Sequence, residues 1–150
     1  MVHRLTYKSY IYICNAMKIQ KEIALKLMLG ILVLLIVFHT LILTQIIPYT
    51  IVWAGKLKTV NEMFVFEIIS ISINLFLILL LLLKGGFIKN SFSEKLLNSI
   101  LWVFIILFAL NTIGNLTAET QFEKIVFTPL TFISAILLWV VVKKNEADKK

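Results

Sequence analysis

The chain has 150 residues, 60% of them hydrophobic and only 15% charged, with a mean hydropathy of +0.96. A soluble domain is nearer half apolar and covers itself with charge, so lipid is the natural solvent for this composition. The formal charge of +7 sits on residues flanking apolar blocks, which argues against a nucleic-acid partner, and the single cysteine, Cys14, excludes an internal disulfide, a CxxC redox pair and a thiolate zinc cluster.

Residues 1–26 form a basic segment expected in the cytoplasm. MKIQKEIALKLMLGILVLL, starting at Met17, already reads as a full opening for a membrane protein. Residues 1–16 are therefore either a cytoplasmic extension or an upstream-start extension. The first apolar run, about 27–47, is too long for a signal-peptide core and lacks an A-x-A-like end, so a retained helix is expected. Further apolar runs cover about 63–83, 96–116 and 125–142, completing a membrane domain over 27–143, and a basic tail follows at 144–150. Each run approaches the ~20 residues an α-helix needs to cross hydrocarbon, and backbone groups in lipid must pair within the segment.

Short connections predict an all-α, antiparallel four-helix bundle. Twelve of the lysines and arginines fall before the first run, between the second and third, or after the fourth; Lys56, Lys58 and Lys124 lie on the other side. The expectation is a multi-pass protein of the cell (plasma or inner) membrane with both termini cytoplasmic. Tyr49, Trp53 and Trp139 fall near predicted boundaries, where amphipathic rings settle, and Trp102 reads as a packing residue.

Polar residues within the runs share a depth. Glu67 is 17 residues from Lys84, Asn111 is 16 from Lys95, Thr44 is 18 from Lys26 and Thr128 is 15 from Lys143. At ~1.5 Å per residue these four lie within roughly 5 Å of one level, in the outer half of the bilayer. Glu67, Ser70 and Asn74 share one helical stripe, as do Asn111 with Asn115 and Thr40 with Thr44; Thr128, Thr131 and Ser134 are spaced by three. Polar groups are costly against hydrocarbon, so these stripes are expected to face inwards. Asn74, near the midplane, is expected to face another helix, bonding Ser134 or a backbone carbonyl there.

The candidate ligand-binding set is Glu67, Ser70, Asn74, Asn111, Asn115, Thr44 and Thr128, with Glu67 as its charged element. Counting from the helix ends places no basic residue beside Glu67. An acid among amides and hydroxyls can carry a proton, pair with a cationic ligand, or donate a hydrogen bond to Asn111. His39 lies about 100° from Thr40 around its helix, and reads as hydrogen-bonded to a neighbouring helix instead of to a metal. No catalytic set, metal site or cofactor motif stands out.

The plan resembles the small multidrug-resistance exporters in helix number and in carrying an intramembrane glutamate. Those proteins hold the glutamate in the first helix, whereas here it is in the second, so no residue is carried over. Vitamin K epoxide reductase-like proteins have a similar four-helix core but need cysteine pairs that this chain lacks.

The expected function is non-enzymatic binding or conduction of a small ligand or ion through an outward-facing polar layer. The bilayer surrounds it, and a homo-oligomer or larger membrane complex is the expected partner. The alternatives are an accessory subunit whose polar contacts serve only assembly, and a membrane enzyme acting on a lipid.

Overall fold

The structure is a computed structural model that describes residues 2–89 and 92–143. The tail assigned to 144–150 lies outside the described residues. All elements within them are helical: α1 (Val2–Leu43), α2 (Val60–Lys84), α3 (Glu94–Leu116) and α4 (Thr128–Val142), with short turns between. Among the described residues, four stretches are long and apolar enough to cross a membrane, Asn15–Leu43, Val60–Lys84, Glu94–Leu116 and Glu123–Val142.

The helix ends follow from local chemistry. Thr59 caps α2 by accepting from the Glu62 backbone N–H at 3.2 Å, while Glu62 reaches back to the Lys58 N–H at 2.8 Å, a variant of the capping box. Ser93 caps α3 in the same way, accepting from Leu96. The first helix stops earlier than the expected residue 47. Gln45 adopts φ 59°, and the Gln45 and Ile46 N–H groups return to Ile42 and Leu41. This is a Schellman ending, with Pro48 three residues beyond the left-handed position. At the other boundary, a π-helical turn over Glu123–Phe127 leads into α4, with Pro129 in the first turn where its missing N–H is tolerated.

α1 packs against both α2 and α4, and α3 against α4, while α2 and α3 meet sparsely. Two apolar clusters hold the helices together. Met28, Leu32, Leu77, Leu81, Leu97, Leu101 and Leu138 belong to the larger one. The smaller joins Ile42 to Met63 and to Val52 and Leu57 of the 44–59 loop. Hydrophobic residues also cover the outside: Val33, Leu34, Ile68, Leu75, Val103, Ile106, Phe132 and Ile133 are all exposed. An apolar exterior over an apolar core suits hydrocarbon, where van der Waals packing, and not apolar burial, drives helix association. Trp102 is itself 46% exposed on α3, so it faces outwards and does not fill the core as expected.

Candidate functional site

Glu67 is fully buried between the two apolar clusters. A carboxylate so placed must have partners, because an unpaired buried charge costs far more than a hydrogen bond returns. Both of its oxygens are engaged. His39 Nδ1 lies 2.6 Å from Oε2, and the Trp53 indole Nε1–H donates to Oε1 at 2.9 Å. The basic partner that helix-end counting missed is therefore His39. The short Nδ1–Oε2 contact requires one bridging proton, since two lone pairs would repel at that distance.

Three segments set this geometry. His39 belongs to an α1 face shared with Leu35, Phe38 and Ile42, at spacings of three and four. Glu67 faces it from α2. Trp53 reaches in from the loop, held at φ 57°, a left-handed conformation costing an aromatic residue on the order of 1–2 kcal/mol. The indole N–H bond and a ring contact with Phe66, centroids 4.8 Å apart, offset that cost. The boundary anchor expected at Trp53 is thus an inward-pointing ligand of Glu67.

The triad of His39, Glu67 and Trp53 lines a cavity of about 620 Å³, within the range of ~300–1,000 Å³ usual for small-molecule sites. Ser70, Asn74, Asn111 and Asn115 line the same cavity, so five of the seven expected ligand residues come together there. Asn111 borders it from an exposed position. None of these four bonds Glu67. Asn74 is buried and donates to the Ser70 carbonyl of its own helix at 3.0 Å, and not to another helix as expected. Thr131, on the cavity wall, accepts from the Thr112 hydroxyl at 2.9 Å, tying α3 to α4, and in turn donates to the Phe127 carbonyl.

Thr44 and Thr128 stand apart from the cavity walls. Thr44 is exposed at the end of α1, and its hydroxyl donates to the Thr40 carbonyl at 3.0 Å. Thr40 likewise donates to Ile36. A threonine that bonds its own helix can face lipid at little cost, which is why that stripe turns outwards. The Thr128 hydroxyl oxygen is buried without a hydrogen-bond partner.

Lys56 and Glu123, not anticipated as site residues, also line the cavity. Glu123 is buried and accepts from the Thr120 hydroxyl at 2.6 Å. Glu123 opens the fourth span, whereas Lys56 lies in the loop four residues before α2 begins, where helical periodicity gives no signal. Among the described residues, no group of three or more His, Cys, Asp or Glu side chains is placed to hold a metal ion. Compared with protein-family models, curated proteins and solved structures, the chain matches none.

Proposed function

We propose that the chain is an antiparallel four-helix bundle of the cell membrane, both termini cytoplasmic, that binds or conducts a small ligand or ion in the Glu67 cavity. The observation supporting this is a fully buried carboxylate, with both oxygens engaged, on the wall of a cavity of about 620 Å³. Packing alone needs no such space, and charged groups within spans mark sites by default. Ser70, Asn74, Asn111 and Asn115 supply hydroxyl and amide groups that can orient a ligand.

Thiol labelling in intact expressing cells tests both parts of this reading, on a Cys14→Ser background. Lys56→Cys and Glu119→Cys should react with an impermeant reagent while Lys89→Cys should not. The reverse pattern would invert the topology. Asn115→Cys should react as well, since it borders a cavity accessible from outside, whereas Leu101→Cys should stay protected. An inert Asn115→Cys beside a reactive Glu119→Cys would remove the accessible cavity.

The contact between His39 and Glu67 favours a second reading, an enzyme acting on a lipid. A carboxylate bonded to one imidazole nitrogen fixes the ring's orientation and tautomer, the arrangement used by general bases. The two readings part at His39→Asn, which would abolish turnover of a lipid substrate but leave binding measurable. An accessory subunit with purely structural contacts would tolerate Glu67→Gln in every functional assay.

A further inference from the structure

The cavity walls are open where two helices fail to close. α2 and α3 meet sparsely, and residues from both sides of their seam line the cavity: Ile69, Ile73 and Leu77 from α2, Leu107, Phe108 and Asn111 from α3. Ile69, Ile73 and Leu107 are at the same time 48%, 46% and 42% exposed. A side chain that borders a cavity and also meets the surroundings marks a breach in the wall. The breach lies within the apolar spans, so what it opens onto is hydrocarbon. Phe76 and Phe104, with ring centroids 6.1 Å apart, join the seam nearer the Lys84 end.

The interior is graded. Ile73, Leu77, Phe104, Leu107 and Phe108 form a mainly apolar compartment, interrupted by Asn74, whose amide donates to its own helix, while His39, Trp53, Lys56, Glu67, Asn115 and Thr131 surround the other end. Charged groups of both signs line the polar end, Lys56 against Glu67 and Glu123. Both Glu67 oxygens are engaged by His39 and Trp53, and Glu123 accepts from the Thr120 hydroxyl. Neither carboxylate is left open to a cation and the two together disfavour an anion, whereas hydroxyl and amide groups offer donors and acceptors.

We infer that the cavity takes a single-chain amphiphile with an uncharged, hydroxyl-bearing head, entering sideways from the bilayer through the α2–α3 seam. Its chain would fill the apolar compartment and its head would meet the amides and hydroxyls near Glu67. This rests on the membrane-embedded binding reading above and names its ligand class.

Trp53 provides the reporter. With Trp102→Phe and Trp139→Phe, it is the sole indole, and both replaced rings are exposed. The protein is placed in phosphatidylcholine nanodiscs and titrated with a monoacylglycerol brominated in its chain. Brominated phosphatidylcholine and a brominated fatty acid, at matched bromine content, serve as the two-chain and anionic comparisons.

The monoacylglycerol should quench Trp53 saturably and beyond either comparison. Ile73→Phe with Leu107→Phe, which narrows the seam at exposed positions, should raise its half-saturating mole fraction about tenfold, corresponding to ~1.4 kcal/mol. Equal, non-saturating quenching by all three lipids would overturn the inference, as would stronger quenching by the fatty acid. Quenching unchanged by the paired phenylalanines would remove the sideways route. Asn115→Cys labelling, measured separately, keeps the two ideas distinct. A reactive thiol with no selective quenching leaves the cavity reading intact and rejects the amphiphile.

Discussion

Truncating either member of the His39–Glu67 pair should cost about 3–5 kcal/mol of stability, because the survivor is left buried without its partner. Glu67→Ala strips partners from His39 and Trp53 together, and His39→Ala leaves the carboxylate with the indole alone. Glu67→Gln should differ. Its amide oxygen can still accept from Trp53 and its NH₂ can donate to His39 Nδ1, so the loss should stay near 1 kcal/mol. Unfolding in mixed detergent and SDS, followed by circular dichroism, measures all three. A double-mutant cycle over His39 and Glu67 should return a coupling of 0.5–3 kcal/mol, roughly the range for directly bonded pairs. Equal losses in Glu67→Ala and Glu67→Gln, or additivity in the cycle, would mean that the contact contributes nothing specific.

Trp53→Ala should lose about 3–5 kcal/mol, since it deletes a large ring packed on Phe66 along with an indole donor. Trp53→Phe separates the two contributions. It keeps the aromatic contact and leaves Glu67 Oε1 without its donor, at a cost of roughly 1–3 kcal/mol. The same unfolding assay ranks them. Should Trp53→Phe match wild type, the indole N–H bond is dispensable and the loop is held by packing alone. If Trp53→Gly proves more stable than Trp53→Ala, the positive φ carries a measurable cost, because glycine alone adopts it freely.

How much of this was legible in the sequence differs from feature to feature. The apolar runs fall on the spans because length and composition are fixed by hydrocarbon thickness. The first run overshot, since nothing in TQII announces that Gln45 takes the left-handed position that a glycine or asparagine commonly occupies. Counting depth from the terminal lysines and following the helical stripes picked out Glu67, Ser70, Asn74, Asn111 and Asn115, which do border one cavity, and also Thr44 and Thr128, which do not. It misjudged α1, where Thr40 and Thr44 formed the more visible stripe. Those hydroxyls bond their own carbonyls and need no neighbour. His39 cannot satisfy itself that way, so it, and not the threonines, marks the inward face. Spacing treats the two residue types alike; hydrogen-bonding capacity separates them. Trp53 was beyond the reach of periodicity because it belongs to a loop.

The bridging proton has an electrical corollary. Between His39 Nδ1 and Glu67 Oε2 it can travel less than the 2.6 Å that separates the two atoms. Across a hydrocarbon core ~30 Å thick, and at ~2.3 kcal/mol per charge per 100 mV, that displacement does at most about 0.2 kcal/mol of work, even directed along the membrane normal. Thermal energy, ~0.6 kcal/mol, exceeds it, so transmembrane voltage has almost no leverage on where the proton rests. A de-energised membrane should leave that bridge as it was.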